Sequence, residues 1–257
     1  MAKKIKDNIY LLAALLSGSL FFAALLLINK AGRFPIAAAA IVITAIFFRI
    51  VKVARKDFLQ YLNGPKRFCK GKGIEIGSGA HRMLQGSLLV DMIDDFSSAK
   101  PYKVDYVTDA HTLSQIASGS LDYVCASHVL EHLTDPIKAI LEWLRVLKPG
   151  GILWLRIPDK RKTFDRTRER TKLAHLVDDF RNNVPVDDPA HINDNNLNTD
   201  PPRNEAHPYI HNHVWISEDI GELFGYIKEK YVALAMVRSA ENTCKNAEDF
   251  WIVVKKA

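Results

Sequence analysis

Cysteine is scarce in this chain of 257 residues. The three cysteines, Cys69, Cys125 and Cys244, are far apart and odd in number, and no two of them form a C-x-x-C pair. This pattern excludes a disulfide framework and a C-x-x-C metal site, and it favours a reducing compartment. Internal repeats and low-complexity segments are also absent, which excludes a repeat architecture.

Charged residues are missing from the first apolar run, residues 9–28. Its twenty residues would form a helix about 30 Å long, which matches the hydrocarbon thickness of a bilayer. A second run, residues 34–48, is shorter. It becomes a span of residues 34–53 if Arg49 and Lys52 extend their charged ends to the lipid headgroups. The two runs predict a transmembrane helical hairpin.

The hairpin would make residues 1–56 a membrane anchor. A single span, with the second run lying in the interface, is the alternative. A cleaved signal peptide is disfavoured because the first run is too long and more apolar chain follows it. Basic residues flank both outer ends of the hairpin, so the positive-inside rule predicts a two-span membrane protein with the rest of the chain in the cytoplasm.

A basic linker, residues 57–72, follows the anchor. Together with the end of the second run it holds a cluster of basic residues next to the predicted membrane surface. Such a cluster binds anionic lipid with about 1 kcal/mol per basic residue. We predict a lipid partner and no nucleic acid, because the charges follow the anchor and not a recognition helix. The cluster comprises Arg49, Lys52, Arg55, Lys56, Lys66, Arg67, Lys70 and Lys72.

Strand and helix patterns alternate from Gly73 onward, which predicts an α/β domain over residues 73–257 with a mostly parallel sheet. A long polar stretch, about 160–215, interrupts the alternation. Its first part, residues 160–180, is predicted to be helical and its second part to be a loop. The predicted strands cover residues 73–78, 87–93, 104–108, 121–126, 152–157, 231–237 and 250–255, the last of them antiparallel.

A glycine-rich turn follows the first predicted strand. Gly77 and Gly79 lack a side chain, so a ligand can approach the backbone just past the strand end, where open α/β sheets bind their ligands. Carboxylates lie in or after the strands, at Glu75, Asp91, Asp109 and Asp159. Because buried carboxylates need donors, this row predicts a ligand rich in hydroxyl and amine groups, such as a nucleoside with a charged tail. A dinucleotide fits less well, since the third glycine of its fingerprint is replaced at position 82.

Residues 73–159 resemble class I S-adenosylmethionine-dependent methyltransferases, in the branch that acts mostly on small molecules. The matching segments are GIEIGSGA, LLVDMID, TDAHTL, LDYVCASHVLEHLTDP, EWLRVLKPGG and LWLRIPD, in the family's order and spacing. The resemblance implies a Rossmann-like, seven-stranded methyltransferase sandwich, here preceded by the transmembrane hairpin. It also implies S-adenosyl-L-methionine as the cofactor.

The resemblance assigns cofactor roles to individual residues. It implies that Glu75, Gly77 and Gly79 surround the methionine end of the cofactor. Asp91, followed by Met92, would accept the ribose hydroxyls. Asp109 would accept a hydrogen bond from the adenine amine, and the Ala110 backbone would lie beside the adenine ring. Ser127 and His128 would lie near the reactive methyl group.

The segment 128–132, HVLEH, has two interpretations. It formally matches the H-x-x-E-H pattern of inverted zinc peptidases, which makes a zinc hydrolase an alternative function. That pattern requires a helix before the first histidine, whereas His128 follows a strand. We therefore predict that His128 is a general base or a substrate orienter. His132 and Asp159 are the other catalytic candidates.

Histidines recur in the polar stretch at positions 207, 211 and 213. A metal site is one interpretation, because two nearby histidines can bind zinc. We instead predict a solvated loop that closes over the substrate and holds no metal, with His211, His213 and Trp215 on the substrate side. The overall prediction is a membrane-anchored methyltransferase whose acceptor is a small molecule, a lipid, a quinone or a lipid-linked glycan. A non-catalytic membrane scaffold is the alternative.

Overall fold

The structure is a computed structural model that describes Thr44, Arg49 and the ranges 64–79, 82–92, 103–188, 190–191, 211–241 and 248–257. The chain divides into two units, Met1–Gln60 and Tyr61–Ala257. The predicted spans, about 9–28 and 34–53, lie outside the described residues, apart from Thr44 and Arg49. Within the described ranges, no helix has the length and apolar character needed to cross a membrane.

A seven-stranded sheet forms the centre of the second unit, with the strand order β3-β2-β1-β4-β5-β7-β6. The first five strands pair in parallel, and β7 is antiparallel to both neighbours. This confirms the predicted Rossmann-like sheet and its antiparallel last strand. The strands are β1 (Gly73–Ile76), β2 (Leu88–Asp91), β3 (Tyr106–Val107), β4 (Leu121–Ser127), β5 (Leu147–Pro158), β6 (Leu234–Glu241) and β7 (Asp249–Lys256).

Four α-helices and two short 3-10 helices accompany the sheet in the described part of the chain. The helix α2 begins after Asp135, whose carboxylate accepts a hydrogen bond from the Lys138 amide at 2.9 Å, with a proline in its first turn. The α-helices are α1 (Pro65–Phe68), α2 (Pro136–Val146), α3 (Leu173–Asn182) and α4 (Ser217–Lys230), and the 3-10 helices are Leu130–His132 and Lys160–Lys162.

The predicted helix over residues 160–180 is wrong in its first half. Only its second half is helical, where α3 begins at Leu173. The segment before it consists of the Lys160–Lys162 turn and further turns. Asp159 and Asp165 take up local donors there, including the Arg161 amide and the Arg168 guanidinium. These side-chain bonds hold the backbone in turns and compete with a helical ladder.

Alternate residues of the strands build two apolar layers. Ile74 and Ile76 of β1 join the larger layer, which contains α2 and α4 side chains. Tyr123, Cys125 and Trp154 point to the opposite face and join a smaller cluster. Because successive strand residues face opposite sides, both faces are covered and β1 is buried along its whole length.

The link between β1 and β2 is too short for a crossover helix. The described residues in it, 82–87, form turns, yet the two strands pair in parallel. The buried Glu75 carboxylate accepts hydrogen bonds from the amides of Met83 and Leu84, both at 2.8 Å, and from the Ser87 hydroxyl. Glu75 thus supplies the acceptors that organise this turn.

Candidate active site

The carboxyl ends of four parallel strands meet at one edge of the sheet. The register aligns Ile76 of β1 with Val90 of β2 and with Ala126 of β4, and Asp91 with Val107 of β3. The glycine turn, the Asp91 carboxylate and the residues after β3 and β4 therefore emerge side by side. This is the edge at which open α/β sheets bind ligands.

The glycine turn is tightly packed against the segment that follows β4. Gly77 and Gly79 adopt left-handed backbone conformations, with φ of 61° and 50°. The Gly77 amide donates to the Val90 carbonyl at 2.8 Å. A Cβ atom on Gly77 would lie 2.6 Å from Cγ2 of Val129. Only glycine satisfies both the conformation and the space at this position.

Glu75 lies beneath this turn and not beside an open pocket. Its side chain is fully buried, and its three hydrogen bonds all go to residues 83–87. It was predicted to surround the cofactor together with Gly77 and Gly79. The structure gives it a supporting contact within the turn.

Asp91 ends β2 and is half-buried, with one carboxylate oxygen accepting the Met92 amide at 2.8 Å. The Met92 side chain is 56 % exposed, which is unusual for a large apolar residue. Ser127, the last residue of β4, is also half-buried. All three predicted cofactor residues therefore lie at the accessible edge of the sheet.

Asp109 is held by a histidine that the sequence analysis did not single out. The Asp109 carboxylate accepts from the His111 amide at 2.9 Å and contacts His111 Nδ1 at 2.8 Å. The Asp135 amide donates to the other ring nitrogen, so Nδ1 carries the proton and donates to Asp109. Burial opposes ionisation of Asp109, but the bonds from His111 and the charge of Lys138 outweigh it and lower its pKa. Ala110 is buried, and its carbonyl accepts from Trp143.

His128 follows β4 with φ of 55° and lies between two carboxylates. Its Nδ1 is 3.4 Å from Glu131, and its Nε2 is 3.5 Å from Asp249 of β7. Burial and the nearby Arg156 charge both disfavour the protonated form of His128. The hydrogen bonds and charges of the two carboxylates outweigh these effects and raise the pKa of His128 to about 9. A histidine that is protonated at neutral pH cannot accept a proton, so the geometry favours the predicted orienting role over the role of general base.

Glu131 is a buried carboxylate surrounded by histidines. Besides its contact with His128, it lies 3.9 Å from Nε2 of His132, whose ring meets the His211 ring edge-on at 5.0 Å. Burial opposes the charge on Glu131, but its histidine neighbours more than compensate and lower its pKa. Glu131 therefore stays ionised and contacts His128 and His132, whose rings are partly exposed.

The geometry of residues 128–132 departs from the zinc-peptidase pattern. His128 is the residue after a strand, and the three residues Leu130–His132 form a single 3-10 turn. The two histidines therefore do not lie one turn apart on an α-helix, as that pattern requires.

The predicted substrate-side residues lie in one extended segment, residues 211–216. Nδ1 of His211 contacts the buried Asp165 carboxylate at 2.6 Å, and its ring stacks on Phe164. His213 and Trp215 are each only 1 % exposed and stack on each other. The prediction of a solvated loop therefore fails for these residues, because the segment packs into the domain. The His211 ring contacts His132, and the His213 amide donates to the Glu131 carbonyl at 3.1 Å, so the segment is joined to the residues after β4.

Asp159, a predicted catalytic residue, lies after β5 in a local ion pair. Its carboxylate is fully buried and binds the Arg161 guanidinium, with Lys162 at 3.6 Å. Burial opposes its ionisation, but the bonds from Arg161 prevail and lower its pKa. Asp159 is thus occupied by its own neighbours and separate from the His128–Glu131–His132 group.

Residues 77–155 match the family model of a methyltransferase domain. The match begins at the glycine turn and ends within β5, so it spans the sheet edge described above. This part of the chain is therefore similar to the methyltransferase domains of that family.

Among the solved structures that are similar to this chain are three with TM-scores below 0.5. The first, a possible histamine N-methyltransferase from Thermotoga maritima, is 17% identical, with 83% of this chain and 99% of that chain covered and a TM-score of 0.47. A protein from Pyrococcus horikoshii is 17% identical, with coverage of 82% and 92% and a TM-score of 0.46. A methyltransferase from Methanosarcina mazei is 19% identical, with coverage of 72% and 92% and a TM-score of 0.42.

A short segment of the chain is similar to an uncharacterized 37.1 kDa protein of a Streptomyces fradiae transposon. The two are 45% identical over 51 residues, which is 20% of this chain and 14% of that protein.

The residues at the sheet edge fit S-adenosylmethionine. Asp109 is an ionised acceptor with 25 % of its side chain exposed, and Asp91 is half-buried on the neighbouring strand end. The glycine turn follows β1, on the other side of Asp91 from Asp109, and leaves the backbone uncovered by side chains at Gly77 and Gly79. Two carboxylates of this kind match a cofactor that presents ribose hydroxyls and an adenine amine as donors. When bound, the cofactor supplies an electrophilic methyl group.

Several residues of the site escaped the sequence analysis. His111 orients Asp109, Asp249 and Arg156 border His128, and Asp165 orients His211. His111 lies two positions from Asp109, and that spacing could have indicated it. Asp249 had no such signal, because 121 residues separate it from His128 and only the antiparallel pairing of β7 brings them together.

Proposed function

We propose that the chain is an S-adenosylmethionine-dependent methyltransferase that is anchored in the membrane and methylates an acceptor carried there: a lipid, a quinone or a lipid-linked glycan. The uncharged run of residues 9–28 and the shorter run that follows support the anchor. The basic cluster after them supports binding to anionic lipid. An anchored enzyme gains most from its location when the acceptor is confined to the same surface.

The observation that carries the catalytic part is the position of Glu131 between two accessible histidines. His128, protonated between Glu131 and Asp249, donates a hydrogen bond to the acceptor atom and fixes its direction. His132, which is 30 % exposed, takes the proton that the acceptor loses. Glu131 stabilises the charge that appears on His132. The chain thereby orients the acceptor and moves its proton.

Methyl transfer to membrane material tests the location. The full chain is reconstituted in vesicles that contain a bacterial lipid extract and S-adenosylmethionine labelled in its methyl group. We expect the label in the organic phase, at a higher rate when the vesicles contain anionic lipid. Equal labelling of a water-soluble metabolite pool in the absence of vesicles would contradict the proposal.

A second experiment tests the proton acceptor. Substitution His132→Ala should lower kcat about 10²- to 10⁴-fold, the usual contribution of a general base, and leave the affinity for S-adenosylmethionine unchanged. An unchanged kcat, or a loss of cofactor affinity of the same size, would rule out this role for His132.

Labelling with a membrane-impermeant maleimide tests the orientation. Cys69 and Cys125 are buried free thiols, so they react slowly in the folded protein. Cys244 is then the informative site. We expect its labelling in opened cells and its protection in intact cells, because the domain is proposed to lie in the cytoplasm. Labelling from outside intact cells would contradict this placement.

A further inference from the structure

Four side chains converge at a second place in the domain and share no residue with the His128–Glu131–His132 group, although the His213 amide donates to the Glu131 carbonyl at 3.1 Å. His175, Asp179, His191 and His213, the His₃Asp cluster, each present a nitrogen or oxygen atom, and these four atoms lie within 4.8 Å of one another. Asp179, His191 and His213 are buried, whereas His175 is exposed. Four such atoms that close together are the donor set of a small cation site.

The distances within the cluster suit four ligands of one ion. Asp179 Oδ2 lies 3.3 Å from Nε2 of His175 and 3.5 Å from Nε2 of His191. The ring of His213 is 5.1 Å from the ring of His191 and 5.4 Å from that of His175. His175 and Asp179 are four positions apart on α3, the spacing at which two helical side chains share a metal.

Two of the converging atoms are buried and have no hydrogen-bond partner in the described structure. They are Nδ1 of His213 and Oδ2 of Asp179, whose contacts at 3.3 and 3.5 Å are with the histidines of the cluster itself. A buried carboxylate oxygen or imidazole nitrogen without a partner costs free energy, and native proteins rarely leave one so. A cation at the centre of the cluster would satisfy both atoms at once.

The hydrogen-bond partners of the ligand histidines are those expected around a bound metal. Nδ1 of His191 contacts the Asp188 carboxylate at 2.7 Å, and Nε2 of His213 lies 3.4 Å from the Thr134 carbonyl. Ligating histidines in proteins typically donate their second nitrogen to a carboxylate or a carbonyl in this way. Since the carbonyl requires the proton on Nε2 of His213, Nδ1 presents its lone pair to the cluster.

We propose that the His₃Asp cluster binds one divalent transition-metal ion, best matched by Zn²⁺. Three imidazole nitrogens and one carboxylate oxygen form the four-coordinate nitrogen and oxygen set that Zn²⁺ accepts. All four positions are filled by the protein, as in structural zinc sites. The ion would fasten α3 and residues 190–191 to the segment 211–216, and through it to the sheet edge.

A second group, Glu131, His132 and His211, is the competing location. Its ligand atoms also lie within the same mutual distance. It offers three ligands, one fewer than the His₃Asp cluster, and it belongs to the proposed proton-transfer site. The experiment therefore distinguishes the two groups.

Metal analysis of the full chain, purified in detergent, tests the proposal. The protein is stripped with a chelator, reloaded with Zn²⁺ and freed of excess metal. We expect one equivalent of zinc in the wild type. Asp179→Asn should lose the ion, whereas Asp178→Asn, which removes an exposed carboxylate from the same helix, should keep it. His132→Ala should also keep it.

Asp188, which contacts the proposed ligand His191, allows a test in which zinc binding is weakened but not abolished. Asp188→Asn should weaken Zn²⁺ binding about 10- to 100-fold, and the matched variant Asp187→Asn should not. With Co²⁺ in place of Zn²⁺, intense visible absorption bands should report tetrahedral coordination in the wild type and in Asp178→Asn. Circular dichroism and S-adenosylmethionine binding establish that each variant is folded.

Three results would overturn the proposal. The first is a reloaded wild type without stoichiometric zinc. The second is an Asp179→Asn variant that retains the full equivalent. The third is loss of the ion in His132→Ala with retention in Asp179→Asn, which would place the metal at the competing group.

Discussion

His128 lies where three distant parts of the chain meet. It follows β4, and its two carboxylate neighbours come from the next 3-10 turn and from the start of β7. Arg156 also binds Asp249, at 2.5 Å, so the histidine and the guanidinium share one buried carboxylate. The charge of His128 is therefore set by tertiary contacts and not by its sequence neighbours alone.

The raised pKa of His128 makes the stability of the domain depend on pH. Its pKa is about 9 in the folded protein, compared with 6.5 for an unperturbed histidine. The stabilisation is complete below the lower value and is lost as the pH rises through the higher one. We expect the difference in melting temperature between wild type and His128→Asn to be largest near pH 6 and to vanish above about pH 9.

Asparagine is chosen at position 128 because it tolerates the left-handed conformation. A control variant, Asp249→Asn, should lower the pKa of His128, which an NMR titration measures directly. A melting-temperature difference that stays constant over this pH range would contradict the assignment.

A second residue-scale prediction concerns Asp109, which His111 holds as an ionised acceptor. Asp109→Asn should weaken S-adenosylmethionine binding about 10- to 100-fold, since a hydrogen bond to a charged group contributes about 1.5–3 kcal/mol. Isothermal titration calorimetry measures the effect. Asp178→Asn is the control on an exposed carboxylate, and an Asp109→Asn affinity equal to it would refute the role.

At the scale of elements, the turn after β1 combines a special backbone conformation with close packing. Gly77 and Gly119 share φ of 61°, but an added Cβ meets Val129 at Gly77 and nothing within 4 Å at Gly119. The two positions therefore separate the cost of conformation from the cost of crowding.

Alanine at each position should be destabilising, by about 1–2 kcal/mol for the left-handed conformation. Gly77→Ala should cost about 1–3 kcal/mol more, because it also overpacks the contact with Val129. Thermal unfolding in one detergent compares the two. Adding Val129→Ala to Gly77→Ala should recover part of the difference, and equal costs at both glycines would contradict the packing argument.

The link between β1 and β2 is held together by the side chain of Glu75 in place of a crossover helix. Glu75 provides acceptors for two amides and a hydroxyl in the link to β2, so this link can stay short. Glu75→Gln should lower stability by about 2–3 kcal/mol, because charge-assisted hydrogen bonds are lost in a buried place. Asp122→Asn, in an ion pair with Lys148 near the surface, is the control and should have a much smaller effect. Equal melting temperatures for the two variants would argue against this role.

At the scale of the whole domain, β7 joins the edge strand β6 to the five parallel strands. It pairs with β5 and β6, and its first six residues are buried. Lys256 at its end donates to the carbonyls of Leu144 and Leu147, which close α2. The last strand therefore contributes buried residues to the core, a carboxylate to the surroundings of His128, and hydrogen bonds to the end of α2.

Removal of residues 249–257 should therefore abolish the cooperative unfolding transition of the domain. The deletion exposes the edges of β5 and β6 and takes the Asp249 carboxylate from His128. Differential scanning calorimetry and near-ultraviolet circular dichroism measure the loss. Removing Ala257 alone is the control, and a truncated protein with the melting temperature of the wild type would contradict this account.

The sequence by itself determined where the strands lie along the chain, the glycine turn and the acidic strand ends. These features are local: alternating and β-branched apolar residues mark strands, and parallel pairing brings their carboxyl ends to one edge. The tertiary structure alone decided that His128 is protonated, that His213 and Trp215 are buried, and that four ligand atoms converge in the His₃Asp cluster. Each of these features depends on contacts between residues that are far apart in the chain. Burial and electrostatic interactions depend on distances in space, which the sequence does not give.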